Sequence, residues 1–399
     1  MNVPMLNLKL QYAQIKDEIQ RALDDVFESQ QFILGPTVES FEKEIARYTD
    51  AVCAVGVSSG TDALLLSLMA LGIGKDDLVI TTPFTFFSTA SSISRVGAIP
   101  LFSDIDPLTY TMDPGRLEET IATLAVEKRR RVKAIMPVHL YGQCADMESL
   151  AEIASRHQLR IIEDAAQALG AHYMKDGAAV KRHAGSRGEC GCFSFFPTKN
   201  LGACGEAGMV ITGDEALAAQ LRSLRHHGCR SQREQYYYDA IGINGRLDAL
   251  QAAVLKVKLK HLNEWNTKRR SNADSYHRLF RERRLAAPQD EPGGVEKPLC
   301  LPGERKGNYH IYHQYVIRSR NRDGLKAFLD KQGIGCGIYY PVPVHLQPCY
   351  ASLGLKEGSL PESERASREV LALPIYPELT REQQEAVVNA VEDFYRGIS

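Results

Sequence analysis

The stretch SFFPTKNLGACGEAG, Ser194 to Gly208, sets one lysine between an aromatic run and a chain of glycines. A lysine held in an apolar turn loses hydration, its pKa falls, and it becomes available as a nucleophilic amine. The glycines let the backbone turn sharply or come close to something bulky. Taken alone, Lys199 fits a plain hairpin lysine better, so other groups must decide its role. Ser58-Ser59-Gly60-Thr61 lies between an apolar run and a helical pattern. Free amides at that helix start, with the Thr61 hydroxyl, would hold a phosphate, although a plain N-cap uses the same residue types. Asp164 ends the apolar run IIED. A carboxylate at such a position needs a cation or several donors, and a protonated ring nitrogen would serve as well as a salt bridge. Ala166 leaves room for a flat ring, and Gln167 could donate to a ring hydroxyl. Phe84, Phe86 and Phe87 cluster at another strand end, where one could stack on a ring and the others pack a core. The Ser194 hydroxyl could reach the phosphate held by Gly60 and Thr61.

The elements that must position these groups follow from periodicity. Leu8, Tyr12, Ile15, Ile19, Leu23 and Val26 recur at helical spacing, and a second helix follows Gly35-Pro36-Thr37. Short apolar runs at 51–57, 78–83, 99–105, 132–138 and 159–165 then alternate with helical patterns. That rhythm predicts a mostly parallel sheet covered on both faces, an α/β architecture. Ligands of such sheets sit outside the carboxyl ends of the strands, where Ser58–Thr61, Phe84–Phe87 and Asp164–Gln167 fall. Residues 190–197 and 208–212 predict a strand pair around Lys199. Beyond residue 250 the character changes. One long helix is expected from Arg246 to about Phe280, then the Pro/Gly-rich stretch AAPQDEPGGVEKPLCLPG, a strand at 310–318, a helix at 322–332, a strand in GCGIYYPVPVH, and a last helix opened by the capping box Thr380/Gln383. The division expected is a large domain, 1–250, and a smaller α+β domain, 251–399.

Composition excludes several function classes. With 399 residues, 44% apolar, 24% charged and a net charge of -1, nothing favours a polyanionic partner. The run Lys128–Arg131 reads as a solvated helix end rather than a nucleic-acid patch. Nine cysteines lie scattered without zinc spacing or a disulfide framework, so no metal site is expected. No signal-like or membrane-spanning segment is evident, and a cytoplasmic protein is expected.

A phosphate cradle, a ring sandwich, a partner for a ring nitrogen and an amine together describe a site for pyridoxal phosphate. The same stretches, with TPFTFFSTASSI, MPVHLYGQCADM, IIEDAAQALGA, GINGRLDALQAA and YYPVPVHLQPCY, resemble the DegT/DnrJ/EryC1/StrS sugar aminotransferases, within the fold-type I enzymes. The resemblance covers nearly the whole chain. It implies that Lys199 is the Schiff-base lysine, that Asp164 pairs with the pyridine nitrogen, and that Gln167 lies by the ring oxygen. It further implies that Gly60, Thr61 and Ser194 bind phosphate and that Phe86 stacks on the ring. Asn244 would reach the cofactor of a neighbouring subunit, so a homodimer with shared active sites is implied. Arg246, His313, Tyr340 and His345 would face the sugar nucleotide. The implied activity is ping-pong transfer of an amino group from L-glutamate, leaving 2-oxoglutarate, through pyridoxamine phosphate to a nucleoside-diphosphate ketosugar. The pattern is most like the members acting on 3-ketosugars, with 4-ketosugars the alternative. One departure is Ala207, where a glycine is common. A sugar dehydratase of the same fold would replace Lys199 by histidine. A nicotinamide oxidoreductase would want G-x-G-x-x-G where GVSSGTDA stands.

Overall fold

Near-continuous apolar runs become strands buried on both faces. A computed structural model describes residues 1–174, 180–230, 236–286 and 298–397; the centre of the Pro/Gly-rich stretch lies outside the described residues. The strands are β1 (Cys53–Val57), β2 (Leu78–Thr81), β3 (Ile99–Phe102), β4 (Val132–Met136), β5 (Arg160–Asp164), β6 (His172–Met174), β7 (Lys181–His183), β8 (Cys190–Ser194), β9 (Gly208–Thr212), β10 (Leu299–Cys300), β11 (Asn308–Tyr309), β12 (Tyr315–Ser319) and β13 (Val370–Leu373). Seven of them form one sheet in the order β1-β9-β8-β5-β4-β2-β3. Its pairs from β8 through β3 are parallel, and β9 runs antiparallel to β1 and β8. The parallel pairs need crossovers, which the intervening helices supply. The helix Gly60–Ala70 is apolar on nearly every side and is buried against β8 and β9, as a helix without a polar face must be.

One row of the register matters for the site. Val57 at the end of β1 pairs with Gly208, and Gly208 pairs with Ser194 at the end of β8. Three neighbouring strand ends thus meet at one level, and Ser59 follows closely from the first.

A second core gathers Val3, Tyr276, Phe280, Tyr315, Ile317, Leu371, Leu373, Val387 and Val391 around the small antiparallel sheet β10-β12-β13. The last helix, Arg381–Arg396, starts at the expected capping box: Thr380 accepts from the Gln383 amide while the Gln383 side chain accepts from the Thr380 amide.

Three expectations are corrected. The long helix is two, Ala249–Leu259 and Leu262–Glu282, broken at Lys260-His261. The first packs on the helices Leu8–Ser29 and Pro36–Tyr48. The second leaves Leu262 in the sheet's core and carries Ala273 into the other. Helix-compatible residues at the bend conceal it from periodicity. The strand expected at 310–318 is only Tyr315–Ser319, because Ile311 N–H donates to Gly142 O (2.9 Å) and Tyr312 N–H to His310 Nδ1 (2.9 Å). The stretch 335–345 is not a strand; Gly337 alone bridges to Ala372, and Pro341 and Pro343 cannot donate to a ladder.

The basic run ends the helix Val126–Arg131, solvent-exposed apart from Arg131, which is of intermediate exposure. Among the described residues no helix is long and apolar enough to cross a membrane, and no cluster of potential metal ligands occurs.

Candidate active site

The carboxyl ends of β1, β5 and β8 open into a cavity of about 710 Å³. Gly60, Thr61, Phe86, Asp164, Gln167, Ser194, Lys199, His313 and Tyr340 all line it, so nine residues singled out in the sequence converge on one space.

Lys199 is fixed by its backbone, whose N–H donates to Phe196 O at 2.8 Å. The residue is part-exposed because the cavity opens to solvent, yet enough protein surrounds it for desolvation to dominate. Burial lowers its pKa to about 8, against an upward pull from Asp164. Asp164 is 4% exposed. It accepts from Thr89 Oγ1 at 2.7 Å and from the Ala166 amide at 3.2 Å. Since Thr89 gives its only hydroxyl proton to Asp164, the 2.8 Å contact between Thr85 and Thr89 must run from Thr85 to Thr89. Burial pushes the Asp164 carboxyl up; the Thr89 and Ala166 donors and Lys199 offset part of that. A further cation beside it would pull it down again.

The opposite wall suits a phosphate. Ser59 caps the helix Gly60–Ala70 by accepting from the Asp62 amide, and the first-turn amides of a helix have no intrahelical acceptor. A Cβ on Gly60 would stand 2.6 Å from Ser194 Cβ, and one on Gly208 would stand 2.4 Å from the Ser59 carbonyl oxygen. Only glycine lets these strand ends close the cradle. Gly208→Ala is therefore expected to destabilise the fold by about 1–3 kcal/mol and to weaken cofactor retention; an unchanged denaturant midpoint would contradict this.

Where the resemblance places the ring, the cavity wall combines Phe86, exposed to the cavity, with Tyr340 at 6.1 Å between ring centroids. Phe84 is instead core, fully buried against Tyr110 and Tyr141. Gln167 is engaged at both ends: its Oε1 accepts from the Tyr141 amide at 2.7 Å and its Nε2 donates to Tyr340 Oη at 3.1 Å. His313 contacts Asn200 Oδ1 through Nδ1 at 3.1 Å. That fixes Nδ1 as the donor and leaves Nε2 an acceptor; burial, Lys199 and Arg269 keep the ring neutral.

Three expected site residues lie elsewhere. His345 is a correction: it is buried, it packs near Phe102, and its Nε2 meets Glu364 at 3.2 Å. Asn244 and Arg246 do not line this chain's cavity. Arg246 bonds Asn244 Oδ1 (2.6 Å) and His226 Nδ1 (2.9 Å), and the segment runs beside Ser58, whose amide donates to Gly245 O. His139 is structural, with Nε2 on Glu163 at 2.8 Å inside the core.

Sequence reading missed Thr85 and Thr89, whose i,i+4 spacing was the available signal. It also missed Arg269, which lines the cavity from a helix that no motif tied to the sheet, and Glu206, which lines it from within the lysine stretch itself.

Three buried histidines outside the cavity lining make a pH prediction. Burial depresses His183 and His277 to about 4 and His310 to about 3. Each titrates near 6.5 when unfolded, so below that pH the unfolded chain binds protons the native one refuses. Stability is full above about pH 6.5 and falls toward pH 4, by at most about 1.4 kcal/mol per pH unit per histidine. Denaturant midpoints measured from pH 7 to pH 5 should decline; a flat profile would contradict the assignment.

Residues 13–392 match the profile of the DegT/DnrJ/EryC1/StrS aminotransferase family. The chain belongs to that family. It is 50% identical over 396 residues to a "Pleiotropic regulatory protein" of Geobacillus stearothermophilus, covering 99% of each chain. It is 41% identical over 392 residues to a dTDP-3-amino-3,4,6-trideoxy-alpha-D-glucose transaminase of Streptomyces venezuelae, covering 98% of this chain and 96% of that one. The crystal structure of S. venezuelae DesV in complex with a ketimine intermediate superposes with a TM-score of 0.88 at 40% identity, covering 98% of both chains. The protein is thus a pyridoxal phosphate-dependent sugar aminotransferase of the fold-type I class, and the glycine cradle, the amine and the buried carboxylate fit that cofactor.

Proposed function

We propose that this enzyme moves an amino group from L-glutamate to a nucleoside-diphosphate-linked 3-ketohexose, leaving 2-oxoglutarate and an aminosugar nucleotide. The observation that carries the reading is Lys199, an amine whose pKa is lowered to about 8, facing a cavity it shares with the buried Asp164 and the Gly60–Ser194 cradle. Bound pyridoxal phosphate supplies the electron sink. The chain supplies the rest. The amides of Gly60 and Thr61 and the Ser194 hydroxyl would hold the cofactor's phosphate. Asp164 would keep its ring nitrogen protonated, and Thr89 and Ala166 hold Asp164 in place. Phe86, Gln167 and Tyr340 would line its ring. Lys199 would hold the cofactor through its amine and would move a proton at the donor α-carbon, as base and then acid.

Amination at C3 rather than C4 is supported by the kind of relative the chain matches, such as the Streptomyces transaminase. The active unit in this reading is a homodimer in which Asn244 and Arg246 serve the partner's site. Its support is their position off this chain's own cavity, together with the exposed Phe27, Ile33, Tyr236, Tyr237, Tyr238 and Ile241. The same reading keeps 1–250 and 251–399 as the two domains and places the enzyme in the cytoplasm, where nucleotide sugars are made.

The test is product mass spectrometry with a panel of nucleotide-linked 3- and 4-ketosugars, glutamate and the cofactor-loaded protein. A 3-aminosugar nucleotide is the expected product. Borohydride should fix the cofactor to Lys199. A purely regulatory role, which the Geobacillus relative's name would suggest, predicts binding without turnover.

A further inference from the structure

Arg269 sits on the helix Leu262–Glu282 and is 4% exposed. One end of its guanidinium is occupied: Nη1 reaches the carbonyls of Tyr312 (3.1 Å), His313 (3.3 Å) and Ile375 (3.0 Å). The other end is not. Among the described residues, no group accepts from Nε or Nη2, and no carboxylate forms an ion pair with this side chain; Glu378 acts on it only from beyond contact. Nor are Nε and Nη2 among the sealed, unsatisfied polar atoms, so they open on a space. That space is the catalytic cavity, which Arg269 lines together with Lys199 and His313. Both cations also act on the His313 ring, so they flank one region.

A buried guanidinium with free parallel donors is built for a carboxylate, which it can grip by two hydrogen bonds. Without one, the desolvation of the charge is only partly offset by three carbonyls. We infer that the free donors of Arg269 bind a carboxylate of the amino-acid donor and thereby present its amino group on the Lys199 side of the cavity. This rests on the transaminase reading above and deepens it. An α-amino acid carries carboxylate and amine on one carbon, so anchoring the first orients the second. A carboxylate on the sugar is the other source of the same chemistry. The donor is favoured because every turnover brings it, and its keto product, into this cavity.

The half-reactions separate the possibilities. In Arg269→Gln holoenzyme the KM for glutamate should rise about 100-fold, and Arg269→Lys should restore part of that. Single-turnover amination of the ketosugar by the amine-loaded enzyme should change far less. An unchanged KM for glutamate, or a loss confined to the sugar half-reaction, overturns the inference. If neither variant folds, a crystal structure of the wild-type holoenzyme with glutarate decides: a carboxylate on Nε and Nη2 is expected, and a free fork or a carboxylate held elsewhere overturns it. A wild-type enzyme that transaminates no ketosugar would count against the proposed function instead, and the glutarate structure would still judge Arg269.

Discussion

Lys199→Ala should lower kcat by about 10²- to 10⁴-fold, the range for a positioned group that moves a proton in the transition state, with a much smaller effect on the stability of the fold. Two properties of the wild-type side chain justify the size. It faces the cavity, and among the described residues its removal leaves no second amine lining that space. Its pKa is also lowered from 10.5 to about 8 by burial. At pH 7.5 about a quarter of such amines are neutral, against about one in a thousand for an unshifted lysine. Alanine therefore removes both the nucleophile and the base, whereas Lys199→Arg keeps a cation that cannot deprotonate and should be equally inactive. Single-turnover rates with glutamate, followed by the cofactor's absorbance, give the direct measurement. An alanine variant within about tenfold of wild type would end the assignment.

Asp164→Asn should cost about 10²- to 10³-fold in kcat, the usual loss when a preorganised charge at the reacting system is neutralised. Asparagine keeps the shape; its single carbonyl oxygen can accept from the Ala166 amide while its NH2 donates to the Thr89 hydroxyl, so folding should survive. What it lacks is the charge that holds a ring nitrogen protonated. Thr89→Val gives the matching control: the carboxylate remains but loses its 2.7 Å donor, and a fall of about tenfold is expected from one hydrogen bond to a charged group. If the asparagine variant turned over as fast as wild type, the carboxylate would be a structural group that merely ends a strand.

The sequence made much of this visible because strand ends in a parallel sheet are marked by apolar runs that stop at chemistry. Asp164, Gly60 and Lys199 each stood at such a stop, and the sheet brought them to one cavity. Periodicity had no means of showing the bend at Lys260-His261, since both residues suit a helix and only the pull of two separate cores breaks it there. Resemblance alone assigns His345 to the sugar side, and resemblance carries no information about burial. Burial against Phe102 and its bond to Glu364 depend on a helix that begins at Pro361, far from any local signal. Arg269 escaped for the converse reason: on a helix rich in charged residues nothing local distinguishes it, and its meaning arises only from where its helix crosses the cavity wall.

The row Val57–Gly208–Ser194 has a thermal corollary. In the proposed reading, grip on the phosphate would be set by rungs of the backbone ladder rather than by pliable loops, so it could not slacken gradually on warming. It should persist until the strands part. In calorimetry of the loaded enzyme, shedding of the coenzyme and melting of the central sheet should appear as a single event.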